Sequence, residues 1–151
     1  MPPIKIWGSY TWTLFHTMAE KINENDYVRL LPQLWALIKR ICTLLPCPDC
    51  SQHATRFLAK IKKEDIATKN DFKNMFYLFH NTVNVRKNKP LYNHIYMDKY
   101  NTVSLQVAFN NFVAVYNTRG NMRQLAETFQ RSLIVKDLKK FILLNINSFS
   151  L

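Results

Sequence analysis

Glycine is almost missing from this chain. Gly8 and Gly120 are the only two in 151 residues. A β-rich chain of this length draws on more glycine for its turns, so the chain reads as all-α. Two glycines also cannot build the G-x-G-x-x-G loop that cradles a dinucleotide pyrophosphate, so any nucleotide cofactor needs another kind of site. The three cysteines are odd in number, which excludes an evenly paired disulfide scaffold. No run of 18 apolar residues occurs, so no membrane-spanning helix is expected. The start, "MPPIKIWGSYTW", lacks a basic stretch followed by a long apolar one; no signal peptide is expected, and the protein should stay in the compartment where it is made. Acid is also scarce, with 10 Asp+Glu against 21 Lys+Arg and a net charge of +11. Such an excess suits nucleic acid, an anionic membrane or an acidic partner. The basic residues are scattered, however. The longest block, "KIKKED" from Lys60 to Asp65, already contains acids, and no zinc-finger or RNA-binding signature accompanies it. No specific nucleic-acid partner is expected.

What is present is apolar periodicity at helical spacing, in a chain that is 48% hydrophobic and can bury a core. Helix one is expected over Trp7 to Ile22 and helix two over Tyr27 to Leu45, with Pro32 in its first turns and Pro46 ending it. Helix three begins at the CxxC, where Pro48 suits a first helical position. Helix four spans Asp71 to Arg86 with Asn70 as N-cap, and "NKPLYN" stops it. Beyond Asp98 the pattern is again helical. "LQVAFNNFVAVY" is apolar nearly all round, "NTRGN" is a turn, and "MRQLAETFQ" and "LIVKDLKKFILL" are two further candidate helices. One domain is the expectation for this length, with residues 1–100 as the bundle and 101–151 as a C-terminal extension used for packing or dimerisation.

The chemistry centres on "LLPCPDCSQHATRFL", where Cys47 and Cys50 stand two residues apart at a helix start. Three readings are open: half of a zinc site, a static disulfide, or a redox pair. A second CxxC is missing, and only His53 lies near in sequence, which disfavours zinc. The helix N-terminus directs partial positive charge at the thiols, which favours the attacking thiolate, and a protonated His53 would add to this. The competing reading is a basic helical binding module whose CxxC holds a metal with His53. A redox pair must pass its electrons on. Candidate cofactor material is present in "HNTVNVRKNKP": His80 and Asn84 share a helix face, and Arg86, Lys87 and Lys89 suit a pyrophosphate. Trp12 and His16 form a second pair of flat side chains four residues apart.

Three segments then occur in order. They are "WGSYTWTLFH", containing Gly8, Trp12 and His16; "LLPCPDCSQHA"; and "FHNTVNVRKNKPLY", in which His80, Asn81, Val83, Asn84, Lys89 and Pro90 follow an HNxVNxxxxKP pattern. Together they resemble the signature segments of the Erv/ALR family of FAD-dependent sulfhydryl oxidases, over roughly residues 6–100. The form of the CxxC segment is most similar to that of the sulfhydryl oxidases of large cytoplasmic DNA viruses. The resemblance implies a four-helix bundle plus a short fifth helix, here with additional C-terminal helices, holding FAD at one end. It implies oxidation of paired thiols by O2 with release of H2O2. By position, Cys47 would exchange with substrate and Cys50 would sit next to the flavin. Gly8, Trp12, His16, His53, His80, Asn81, Val83 and Asn84 would pack around the cofactor, with Arg86 and Lys89 facing its phosphates and Tyr92 nearby. A homodimer through helices one and two is implied, as is a site of action in the host cytoplasm and the virion. The chain departs from many relatives in lacking a second, shuttle cysteine pair. Cys42 is left over and reads as a small buried hydrophobe, so a separate dithiol or thiol-carrier protein is the expected direct substrate. Lys21 stands near an expected aromatic position, and Tyr96 or Tyr100 replaces an expected tryptophan.

Overall fold

The computed structural model describes residues 4–117 and 125–150. Its elements are α1 (Ile4–Lys21), α2 (Glu24–Thr43), α3 (Pro48–Ala59), a 3-10 turn (Lys63–Ile66), α4 (Lys69–Arg86), a 3-10 segment (His94–Thr102), α5 (Leu105–Tyr116), α6 (Leu125–Leu144) and a closing 3-10 turn (Ile146–Ser148). Among the described residues the only strand-like pairing outside helices is an isolated bridge between Ile22 and Phe149. The all-α expectation holds. No helix among them is long and apolar enough to cross a membrane.

Helix α1 is the hub. It packs against α4, the 94–102 segment and α5, while α2 packs against α3 and α6. Leu14, Phe15, Met18, Ala19 and Ile22 of α1 meet Leu34, Ile38 and Ile41 of α2 and Phe72, Phe76 and Phe79 of α4 in one core. Each Leu, Ile, Met or Phe among them contributes about 1.5–3 kcal/mol by leaving water. Helix α4 starts at a capping box: the Asp71 N–H donates to Thr68 Oγ1 and the Thr68 N–H to Asp71 Oδ2, both at 3.1 Å. The expected cap, Asn70, instead lies inside the helix, because Thr68 has a carboxylate three residues on and Asn70 does not. Helix α2 begins at Glu24, earlier than expected. Pro32 therefore sits in its third turn, on the solvent side, where a carbonyl left without a donor can be hydrated.

The C-terminal third joins the same core. Leu105, Phe112 and Tyr116 of α5, Ile134, Leu138, Phe141 and Ile142 of α6, and Phe149 all belong to it. The apolar face of α5 is thus buried against α1 within the single chain, so its apolarity does not require a second subunit. The two candidate helices over 122–130 and 133–144 are one continuous helix from Leu125; nothing between them breaks the backbone pattern. The expected turn at Asn117–Asn121 lies largely outside the described residues. Arg131 was not anticipated as an inner residue. It is 1% exposed and tethers α6 to the segment before the CxxC through the Leu44 carbonyl at 3.5 Å. The chain end is fixed at the α1–α2 corner, where the Ser150 N–H donates to the Lys21 carbonyl and the Asn23 N–H to the Ser148 carbonyl, each at 2.7 Å.

Candidate active site

Pro46 follows the end of α2 and Pro48 opens α3, so Cys47 becomes the N-cap between them, in extended backbone (φ −137°, ψ 110°). Its sulfur accepts the Cys50 N–H at 3.3 Å, and its carbonyl accepts the Ser51 N–H at 3.0 Å. The Ser51 hydroxyl staples the loop from the other side by accepting the Leu45 N–H at 2.8 Å. Cys47 is half-buried, Cys50 is buried, and both are free thiols. The helix start therefore directs an N–H at the Cys47 sulfur, as expected. Cys50 behaves differently. Burial pushes its thiol up, contact with Cys47 adds to this, and Lys87 and Arg86 pull back in the opposite direction. At Cys50, desolvation thus opposes the thiolate that the helix start was expected to favour. Cys42 is buried and lines the same narrow cavity as Cys50; burial drives its thiol far above the usual range, in keeping with a small hydrophobe.

That narrow cavity, about 50 Å³, is bounded by Trp7, Gly8, Trp12 and Phe15 of α1, by Cys50 and Ala54 of α3, and by Phe79, Val83, Arg86 and Lys87 at the end of α4. Gly8, Trp12, Val83 and Lys87 also line a wider cleft of about 400 Å³, whose other walls include Lys5, His80, Asn84, Lys89, Tyr92, Lys99 and Tyr100. The two spaces adjoin at these four residues, so Cys50 lies one shared wall away from a basic, aromatic mouth. Gly8 costs α1 about 1 kcal/mol relative to Ala, and its missing side chain leaves room where both spaces meet. Another cavity of about 380 Å³, between α3 and the start of α6, is lined by neither Cys47 nor Cys50.

The cleft wall is a stack of flat rings. Trp12 and His80 lie 4.3 Å apart at 8°, His80 and Tyr92 5.1 Å apart at 18°, and His16 and Tyr100 4.7 Å apart at 22°. His16 Nε2 and His80 Nδ1 share a hydrogen bond at 3.0 Å. Burial lowers His16 to about 3 and His80 to about 4, so both rings are neutral at pH 7 and one donates to the other. His16 Nδ1 is buried without a partner. The Lys99 ammonium lies 5.2 Å from the centroids of both Tyr92 and Tyr100.

Several expected site residues take other places. His16 is 1% exposed and lines neither space; it backs the stack rather than facing the cleft. Asn81 also stays out of the cleft. Its amide clamps the Tyr92 backbone, donating to the carbonyl at 3.1 Å and accepting the N–H at 2.6 Å, so it holds the 87–93 segment in place. That segment turns at Asn88, whose φ of 55° suits asparagine. His53 is outside the lined spaces and faces Asp49 at 3.6 Å. Arg86 is not among the cations of the wide cleft; it pairs with Asp49 at 2.9 Å. Lys87, one of the cations that suit a pyrophosphate, is half-buried and lines both spaces because α4 ends on the cleft edge. Lys5 and Lys99 were missed; only the packing of α1 and the 94–102 segment around α4 brings them to Lys89. Tyr100, buried and lining the cleft, rather than exposed Tyr96, fills the aromatic position. Lys21 is buried, and its ammonium donates to the Asn101 carbonyl at 2.9 Å. Among the described residues no three His, Cys, Asp or Glu side chains are arranged to hold a metal ion.

Flat rings for a planar heterocycle, ammonium groups for a diphosphate and a thiol pair at the inner end form a donor set that fits a flavin dinucleotide. Residues 9–104 match the model of the Erv1 / Alr family. The chain belongs to that family. Two relatives are similar to part of this chain. The protein named "Putative FAD-linked sulfhydryl oxidase 347L" of Invertebrate iridescent virus 6 is 32% identical over 92 residues, covering 57% of this chain and 83% of the relative. "Putative FAD-linked sulfhydryl oxidase 096R" of Invertebrate iridescent virus 3 is 30% identical over 87 residues, covering 57% of this chain and 59% of its own length. No solved structure gives a significant match.

Proposed function

We propose that this chain is an FAD-dependent thiol oxidase that forms disulfides from paired protein thiols, with O2 as acceptor and H2O2 as product. The observation that carries the reading is that the Cys50 cavity between α1 and α4 shares Gly8, Trp12, Val83 and Lys87 with a cleft walled by Trp12, His80 and Tyr92 and rimmed by Lys5, Lys87, Lys89 and Lys99. Cys47, the more accessible sulfur, takes the substrate thiol, and Cys50 receives the electron pair at the inner side. When bound, FAD supplies the two-electron acceptor and the reaction with oxygen. Trp12, His80, Asn84 and Tyr92 hold its flat parts, the four lysines hold its phosphates, and Phe79 and Trp7 keep water from the inner end. Asn81 and His16 act at one remove, the first by fixing Tyr92 and the second by backing His80. The direct substrate is a dithiol or thiol-carrier protein, since Cys42 is too deeply buried to serve as a shuttle. We further propose that it works in the cytoplasm of an infected cell and in the virion, as a homodimer. With α5 covering one face of α1, such a dimer has to use other surface.

Purified protein should be yellow with a flavin absorption band and should consume oxygen when given dithiothreitol. Cys47→Ser and Cys50→Ser should each abolish turnover while keeping flavin. A protein that stays colourless in excess FAD, or loss of turnover in Cys42→Ser but not in Cys47→Ser, would overturn the reading.

A further inference from the structure

Arg86 turns toward the thiols. Its Nη1 donates to Asp49 Oδ2 at 2.9 Å, and its side chain lines the narrow cavity together with Cys50 and Lys87. Asp49 stands between the two cysteines in the first turn of α3, so this ion pair joins the CxxC to the last turn of α4. The Asp49 side chain is 69% exposed, and a pair so open to water adds little stability. What it sets is direction. A guanidinium has five N–H donors in a rigid fork, and the bond to Asp49 leaves others free for a sulfur beside it.

We propose that Asp49 and Arg86 form a positioning device for Cys50: Asp49 anchors the guanidinium at the cavity, and Arg86 stabilises the Cys50 thiolate released when a substrate thiolate attacks Cys47. In that step, which starts from the pair oxidised to a disulfide by the FAD and O2 of the thiol-oxidase reading, a bond forms between the substrate sulfur and Cys47 Sγ. The Cys47–Cys50 bond breaks, and its electron pair goes to Cys50 without a proton. The second substrate thiolate then attacks the first substrate sulfur, closing the substrate disulfide and freeing Cys47. Such exchange is faster when the leaving thiol has the lower proton affinity. Burial opposes this at Cys50; Lys87 and Arg86 favour it. The titratable and charged groups around Cys50 are Cys47, Asp49 and His53 on α3, Arg86 and Lys87 on α4, and Cys42 on α2; α1 presents uncharged side chains to the cavity. The step rests on the thiol-oxidase reading, whereas the test of the pair does not.

The test uses the full-length chain as purified, carrying Cys42→Ser and Cys47→Ser, so that Cys50 is the sole thiol. Iodoacetamide alkylation of Cys50 is followed by mass spectrometry across pH. Arg86→Gln should raise the midpoint so that thiolate at a given pH falls about tenfold. Arg86→Lys should recover part of this, since the charge stays but the fork is lost. Asp49→Asn decides the mechanism. As an anchor, its loss raises the midpoint, in the same direction as Arg86→Gln and by less. As a mere anion beside the sulfur, its loss lowers the midpoint, and the proposal falls. An unchanged midpoint in Arg86→Gln with flavin lost on purification would make Arg86 a phosphate ligand and overturn the proposal equally. Should Arg86→Gln fail to fold, Arg86→Lys and Asp49→Asn still decide. A parent chain inert toward dithiothreitol would refute the oxidase reading separately, leaving the alkylation profiles to report on the pair alone.

Discussion

Acidification from pH 7 to pH 5 should weaken this fold through a buried neutral histidine. His16 is 1% exposed, stacked on Trp12 and Tyr100 and bonded to His80. The unfolded chain takes up a proton at His16 near the ordinary 6.5, the folded chain only near 3. The unfolded state therefore binds more protons throughout this interval, so stability is full above about pH 6.5 and is lost as pH falls toward 3. Between pH 7 and pH 5 the linkage amounts to about 2 kcal/mol for His16. His80 acts in the same direction and, being partly exposed, adds less. Hydrogen bonds from Ser148 and Arg29 hold the Asp26 carboxyl below its ordinary 3.8, which keeps that group out of this interval. Urea unfolding of flavin-stripped protein, followed by tryptophan fluorescence at pH 7 and pH 5, measures the difference. The parent should lose about 2 kcal/mol or somewhat more, and the loss in His16→Phe should be smaller by about the His16 share. Equal losses in parent and variant, or no loss in the parent, would refute the burial of a neutral His16.

Asn81→Leu removes both hydrogen bonds to the Tyr92 backbone, which should cost about 1–3 kcal/mol and lower the flavin-to-protein ratio although Asn81 lines no part of the cleft. Retained flavin at full occupancy would show that the clamp does not position Tyr92. Phe112 is fully buried, so Phe112→Ala should destabilise by about 3–5 kcal/mol, and flavin release should follow the same melting transition because α5 shares the core of the bundle. Truncation after Tyr100 should expose the α1 face covered by α5 and cause aggregation; a well-behaved, flavin-loaded fragment would contradict this. Size-exclusion with light scattering should give twice the 17.9 kDa chain mass at micromolar concentration if the proposed homodimer is correct.

Local chemistry was readable residue by residue. The shortage of glycine, the apolar spacing of α1, α2 and α4, and Pro48 behind Cys47 named the helices and put the thiol pair at a helix start. Helix boundaries were harder, because caps compete: Thr68 captured α4 through Asp71 where Asn70 also looked suitable. Cleft residues far apart in sequence were harder still. Lys5 and Lys99 carry no motif, and they meet Lys89 only because α1 and the 94–102 segment close on α4.

The sequence by itself determined the class, the family and the candidate thiol pair, since these depend on residue type and on spacings within a turn or two of helix. Tertiary structure decided which way each polar side chain works. It buried His16 behind the ring stack, spent Asn81 on the Tyr92 backbone, and took Arg86 from the phosphate side to Asp49. It also raised Cys50 above the behaviour its helix start suggested. The physical reason is common to all four. Burial and hydrogen-bond partnership depend on what the neighbouring helices bring within a few ångströms, and no one-dimensional spacing encodes that.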